Sequence, residues 1–491
     1  MPTFPHPLYS RHVLQPAYDD AQAYLFAHML AAHEAHAIML AECNIISQEN
    51  ATAILQAVAQ IRAQEVDTYV YQPGIEDLFF RIEGQIIALA GADYGGNLQL
   101  ARSRNDLGQA LARMALRELI LSAHADLLAL RQVILRRAEE FVETLMPGYT
   151  HTQPAQPVTF AHYLAGVLTF LGKDQARLAM AYTNVNESPL GAAAFTGTGF
   201  PIDRQRLAEL LGFATVITST HHSIGAGDHL TDIGFAAQSL AIGLSRVTKD
   251  LLFLATQEAG ALHIDDSFIQ ISSIMPQKRN PVVLEHLRAR LSRAIGAAQT
   301  IAIQCHNIPY GDTQDIEDEI LPPIYEAVTT LQACVTLYTA VFETLSLHTE
   351  HLQQRAGQGF TTATELADAL VREAGLPFRQ AHKVVATMVQ QAVQSGVTSD
   401  QLTLEQLQRA AQDVLGQPLN FTLEQFERAL DPSMFINARN EIGGVAPRAT
   451  SALLTQLASG LRVDQEWLVT AQTALNHSAA LRREAIEMFQ F

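Results

Sequence analysis

Between residues 106 and 350 the sequence alternates long helix-forming runs with short polar breaks. The first run, LGQALARMALRELILSAHADLLALRQVILRRAEE, is a nearly uninterrupted helical pattern. VTFAHYLAGVLTFLGKDQARLAMAYTNV, the stretch from His229 to Thr256, VVLEHLRARLSRAIGAAQTIAIQ and PIYEAVTTLQACVTLYTAVFETLSLH continue it. No βαβ alternation, glycine-rich nucleotide fingerprint or P-loop competes with this pattern. Helices of this length bury their apolar faces most readily against one another, which predicts an all-α fold around a central long-helix bundle. Shorter helical stretches on either side predict smaller flanking domains, with boundaries at 1–105, 106–355 and 356–491.

Residues 1–18, rich in proline, histidine and tyrosine, read as an irregular arm. From Asp19 to about Val66, YLFAHMLAAHEAHAIML and ATAILQAVAQIRAQ predict helices around a turn at CNIISQEN, with a helix start at Ser47–Asn50. His28, His33 and His36 have no clear companion cluster of carboxylates or cysteines, so surface exposure or interhelix packing is expected rather than a metal site. After residue 360, TATELADALVREAGLPFRQAHKVVATMVQQAV predicts two shorter helices. SDQLTLEQLQRAAQDVLG, FTLEQFERALDP and a terminal helical region, ATSALLTQLASGLRVDQEWLVTAQTAL, follow.

Charge and cysteine usage narrow the function classes. With 50 acidic against 32 basic residues, the formal charge of −18 opposes nonspecific binding to nucleic acid or anionic membrane. Cys43, Cys305 and Cys334 are far apart and odd in number, which argues against a disulfide framework and fits a reducing compartment. The N-terminal MPTFPHPLYSRHVLQP lacks a signal-peptide core, and runs such as LLFLATQEAGALH are too short to span a bilayer. A cytoplasmic protein without nucleic-acid or membrane partners is expected.

The chemistry-bearing residues gather at the breaks. IQISSIMPQKRN at 269–280 reads as a polar loop docked at a helix start, with Pro281 suited to the first turn. Its amides, Ser272, Ser273 and the Lys278/Arg279 pair can form a carboxylate-binding nest, although residue content alone fits a basic connector as well. Ser103, Arg104, Asn105 and Asp106 place a cation beside amide and hydroxyl groups, with Asp106 available as a helix cap. Alone, they read as an ordinary capping turn. In MPGYTHTQPAQP at 146–157, Thr150, His151 and Gln153 put a histidine that can titrate near neutral pH between two helices. ESPLGAAAFTGTGFPID is a pocket-lining loop or a simple connector.

These breaks also carry a family resemblance. Through SRND at 103–106, MPGYTHTQPAQPVTF at 146–160, SPLGAAAFTGTGFPIDR at 188–204 and SSIMPQKRNP at 272–281, the chain resembles the argininosuccinate lyase branch of the fumarase/aspartase superfamily. GFTTATELADALVREAGLPFRQAH and LDPSMFINARNEIGGVAP continue the similarity. The resemblance implies a homotetramer in which each active site takes segments from three chains. It implies elimination of an amine or guanidinium-type nitrogen from a substituted succinate, releasing fumarate, with no cofactor or metal required. Argininosuccinate cleaved to arginine and fumarate is the expected reaction. The alternatives are a related aminocarboxylate lyase, such as one resembling ethylenediaminedisuccinate lyase, and a non-enzymatic structural homologue.

By the same resemblance Ser272 is the base that takes the carbon-bound proton, with Ser273 as the register alternative. Lys278 and Asn280, helped by Thr150, bind the succinyl carboxylate. His151, partnered by Glu285, serves the leaving nitrogen or orients substrate and water. Ser103, Arg104, Asn105, Tyr310 and Gln314 bind the rest of the substrate. The chain departs from the family pattern at Ile271, where a glycine is usual, and at Gln99 and Ala101 ahead of SRND. It departs again at His33, in a serine position, and in YGDTQDIED, which lacks the terminal lysine.

Overall fold

The computed structural model describes residues 4–489. Helices Arg104–Glu140, Phe160–Val185, Asp228–Leu254, Val282–Cys305 and Leu321–Thr344 pack side by side as the expected central bundle. Each contributes an apolar stripe at three- and four-residue spacing to one core. Leu164, Leu168 and Leu171 meet Leu240, Leu244 and Leu251, with Leu284, Leu287 and Leu291 and Ile324, Val328 and Leu331 completing it. Fully burying each of these aliphatic side chains contributes about 2 kcal/mol relative to exposure, which is why the bundle tolerates the polar breaks at its ends.

The N-terminal unit has a separate core built on Phe26–Glu42, Gln48–Arg62 and Leu78–Ala90. Ser47 starts the second of these helices, its side chain accepting from the Asn50 amide at 3.1 Å. The expected irregular arm is helical from residue 7 onward. A π-helical turn at Ser10–Leu14 leads into helix Gln15–Tyr24, because Leu14 and Tyr18 are buried and dock it on this core; residues 1–3 lie outside the described part. The three histidines are packed or paired within the protein. His28 lies 3.6 Å from Glu118, His33 faces the Arg102 guanidinium at 3.2 Å, and His36 Nε2 lies 2.9 Å from the Leu100 carbonyl. Burial holds His36 down to about 3, so it sits in the core as a neutral ring.

The 146–157 break is a β-hairpin rather than a loop. Leu145–Thr150 pairs antiparallel with Gln153–Thr159, from Leu145↔Thr159 to Thr150↔Gln153, with a one-residue register shift between Pro147 and Tyr149. Pro147, Pro154 and Pro157 hide the strand pattern in the sequence, yet a two-stranded ribbon has two free edges where a missing N–H goes unnoticed. The other strands are two-residue pairings. Toward the C-terminus, residues between Leu366 and Ala429 enclose a small core. The last helix, Pro447–Glu487, leaves that unit. Leu454, Leu461 and Leu468 enter the bundle core, and Ala485 and Phe489 reach the N-terminal one. The 356–491 segment is therefore divided by its packing. Among the described residues no helix is long and apolar enough to cross a membrane.

Candidate active site

At the start of helix Arg104–Glu140, Ser103 and Asp106 form a capping box. Ser103 is the cap and Asp106 its third-position partner, a reversal of the role expected for the aspartate. The Asp106 carboxylate is fully buried and accepts from the amides of Ser103 at 2.9 Å, Gly191 at 2.9 Å and Ala193 at 3.0 Å. Burial raises its pKa, and these amides oppose the rise. Gly191 stands at φ +86°, where a Cβ would lie 2.6 Å from Arg204 Cγ, so glycine alone fits this turn. The 188–204 segment is thereby pinned to the helix start, and the Asn105 side chain reaches the Ala194 carbonyl at 3.5 Å.

The same face gathers Tyr310 and Gln314. Phe195 meets His221 edge-on at 5.7 Å, and His221 stacks on Tyr310 with ring centroids 5.5 Å apart. His222 Nδ1 lies 2.6 Å from the Tyr310 hydroxyl. Gln314 donates to Glu317 at 3.1 Å. Burial, reinforced by Asp312, pushes Glu317 up to about 7, and burial with Asp77 nearby pushes Asp318 up to about 6. Arg104 opposes both shifts, though its own guanidinium is paired with Asp77 and, at 3.5 Å, with Glu76, over the Phe80 ring. The sequence reading missed His221, His222, Glu317 and Asp318. The histidine doublet and the carboxylate run were visible, but nothing local tied either to SRND.

Gly225 makes this approach possible. A Cβ there would stand 2.8 Å from the Tyr310 carbonyl carbon and 2.9 Å from the Gly311 nitrogen, backbone that cannot swing aside. Gly225→Ala is expected to displace the Tyr310 segment and raise KM about tenfold, while kcat changes less. Steady-state kinetics with a turned-over substrate would check this, and an unchanged KM would rule out the close approach as a binding determinant.

The remaining candidates lie elsewhere on the chain. His151 and Thr152, at φ +52° and +63°, form the exposed tip of the proline-rich hairpin beside Thr150. The 269–280 segment is a second hairpin, with Gln270 opposite Asn280 and Ile271 opposite Arg279. At its tip Ser272 Oγ accepts from the amides of Ile274 at 3.3 Å and Met275 at 3.0 Å. The Asn280 side chain donates to the Gln270 carbonyl at 3.1 Å, Arg279 pairs with Asp266, and Lys278 is exposed. Pro281 caps helix Val282–Cys305 from just outside, one position earlier than expected, and Glu285 is exposed in its first turn.

One chain thus brings together Ser103, Arg104, Asn105, Tyr310 and Gln314. Among the described residues no side-chain hydrogen bond or ion pair links them to Thr150, His151, Ser272, Lys278, Asn280 or Glu285, nor His151 to Glu285.

Known proteins share both the sequence and the architecture. A lyase family model matches residues 17–296, and a model of the argininosuccinate lyase C-terminal region matches residues 360–437. An argininosuccinate lyase 2 of Agrobacterium fabrum is 36% identical over 487 residues, covering 99% of this chain and 96% of the relative. An argininosuccinate lyase of Halobacterium salinarum is 38% identical over 448 residues, covering 91% and 90%. The crystal structure of EDDS lyase in complex with formate superposes with a TM-score of 0.88 at 29% identity, over 99% of this chain and 96% of that one. A lactonizing enzyme from Pseudomonas putida, at 19% identity and a TM-score of 0.70, shares the fold. With the helical bundle and the motif-bearing breaks in place, the chain belongs to the fumarase/aspartase superfamily, in its argininosuccinate-lyase-like branch.

Proposed function

We propose that this protein is a carbon–nitrogen lyase that eliminates the amine half of an N-substituted aspartate and releases fumarate. The observation that carries this reading is the hairpin at 269–280, which presents Ser272, Lys278 and Asn280 on one short turn. A serine hydroxyl is normally too weak a base to take a proton from carbon. The Ile274 and Met275 amides aimed at Ser272 Oγ favour its deprotonated form, which is what the step needs. Removing the proton beside the carboxylate builds negative charge on the succinyl half, and Lys278, Asn280 and Thr150 are the groups to stabilise it. As the C–N bond breaks, the electron pair leaves with the nitrogen, and His151 serves that side, with Glu285 of another copy as its expected partner.

The reading includes a homotetramer with shared sites. In one chain the serine hairpin and Tyr310 flank opposite ends of the 24-residue helix Val282–Cys305, about 36 Å apart along its axis, and a cleft that joins them is supplied, in this reading, by loops from more than one copy. Met180, Phe235, Ile242 and Ile303 are exposed on the bundle helices, apolar surface suited to packing against further copies.

For the amine half, we favour an aminocarboxylate related to the substrate of EDDS lyase, with argininosuccinate as the second reading. Gln99 and His33 both contact Arg102, directly before Ser103, and the YGDTQDIED segment carries Tyr310 and Gln314. These departures therefore gather around the turn that carries Ser103 and the segment that carries Tyr310, not on the serine hairpin. The relatives named argininosuccinate lyase support the second reading. The deciding experiment follows fumarate absorbance with argininosuccinate, aspartate, adenylosuccinate and several N-substituted aspartates, together with the reverse additions of amines to fumarate. Turnover of N-substituted aspartates other than argininosuccinate is expected. Turnover of argininosuccinate alone would restore arginine as the amine, and no fumarate from any of them would leave a non-enzymatic homologue.

A further inference from the structure

Tyr310 is held by residues outside the family motifs. His222, on the short helix Thr220–Gly225, sets Nδ1 2.6 Å from the phenol oxygen, and its Nε2 faces an Asp228 oxygen 3.7 Å away. His221 fixes the other end, with Nε2 2.8 Å from the Tyr310 carbonyl. Hydrogen bonding from His229 holds the Asp228 carboxyl well below the usual carboxylate range, so it is an anion.

The tautomer follows from this arrangement. An imidazole with a carboxylate beside Nε2 keeps its proton there, which leaves Nδ1 as the acceptor. The Tyr310 hydroxyl then donates to Nδ1 and turns its lone pairs outward. Its side chain is open to receive a ligand, the residue being 59% exposed. Along the same face Arg104 is already paired with Asp77 and Glu76, and Glu317 and Asp318 lie close enough to feel its charge. The face therefore offers acceptors and negative charge.

We infer that His222 and Asp228 set Tyr310 as a hydrogen-bond acceptor for the amine half of the substrate, so that this chain takes leaving groups rich in N–H donors, such as a guanidinium or a diamine cation. The inference rests on the lyase reading above. His222 and Asp228 are positioning residues that act through the Tyr310 hydroxyl, while Tyr310 touches the leaving group.

The test compares His222→Leu, His222→Gln and Tyr310→Phe with the unaltered enzyme, using arginine and ethylenediamine as amine probes and fumarate as the other product. In His222→Leu the hydroxyl is free to turn, and inhibition by the amine probe weakens about tenfold while inhibition by fumarate holds. His222→Gln, whose side-chain carbonyl can accept from the phenol, recovers most of the loss, and Tyr310→Phe matches His222→Leu. Local collapse would weaken inhibition by both products, with no rescue by glutamine, and would overturn the inference. Unchanged amine inhibition in the variants, or an unaltered enzyme inhibited by neither probe, would also overturn it while fumarate release leaves the lyase reading standing. No fumarate from any N-substituted aspartate would overturn both.

Discussion

Ser272→Ala is expected to lower kcat by about a hundredfold or more, the scale on which a positioned general base acts, while the assembly state and helical content stay unchanged. Two amides converge on Ser272 Oγ, at 3.3 and 3.0 Å, and they are the means by which the hairpin turns a hydroxyl into a usable base. Deleting the oxygen removes the proton acceptor and leaves Lys278 and Asn280 in place, so fumarate should bind the variant almost as well as the original. Ser273→Ala, one residue along the same turn, is expected to lose far less, which separates the two register choices. Ile271 adds a condition. Where the family pattern has glycine, a β-branched residue holds extended backbone opposite Arg279, and its side chain is 77% exposed. The hairpin is thus stiffer than a glycine hinge and carries an exposed apolar side chain beside the serine. Stopped-flow and steady-state measurement of fumarate release would check the prediction; near-normal turnover in Ser272→Ala would remove Ser272 as the base.

What could be read from the sequence divides along physical lines. The bundle was legible because apolar residues such as Leu164, Leu168 and Leu171 repeat at the helical period, and that period is a local property. The hairpin at 145–159 was not, since its prolines mask a strand pattern that two-stranded ribbons tolerate. The helical start of the chain was missed because Leu14 and Tyr18 become helix anchors only once a core exists beneath them. For the site, contiguous motifs exposed Ser103 to Asp106 and Ser272 to Asn280, but their partners come from distance. Tyr310 meets a histidine 88 residues away, and Arg104 meets an aspartate 27 residues away. No local pattern encodes such pairings, and sequence spacing alone does not specify how loops of separate chains combine.

Asp106→Ala is expected to be the most damaging single change to the scaffold of this face. The carboxylate has no solvent exposure and accepts from three backbone amides, those of Ser103, Gly191 and Ala193. Removing it leaves three N–H groups without their partner, and each buried orphan costs about 1–3 kcal/mol, so a loss of roughly 3 kcal/mol or more is expected even if water partly replaces the carboxylate. That is a large share of the roughly 5–15 kcal/mol by which folded domains exceed their unfolded state. Asp203, an exposed helix cap that accepts from the Arg206 amide at 2.8 Å, is the matched control, and Asp203→Ala should cost only about 1 kcal/mol. Asp106→Asn, with one acceptor oxygen in the same shape, can serve Ser103 or the Gly191 and Ala193 pair but not both, and should fall between the two. The consequence reaches the chemistry, because the carboxylate ties the 188–204 segment to the Arg104–Glu140 helix. Without it the contacts of Asn105 with Ala194 and of Phe195 with His221 lose their anchor, so KM should rise in whatever protein remains folded. Denaturant unfolding at one fixed protomer concentration measures the first effect without confusing it with subunit dissociation. If Asp106→Ala proves no less stable than Asp203→Ala, the buried carboxylate is not what holds the helix start to its neighbouring loop.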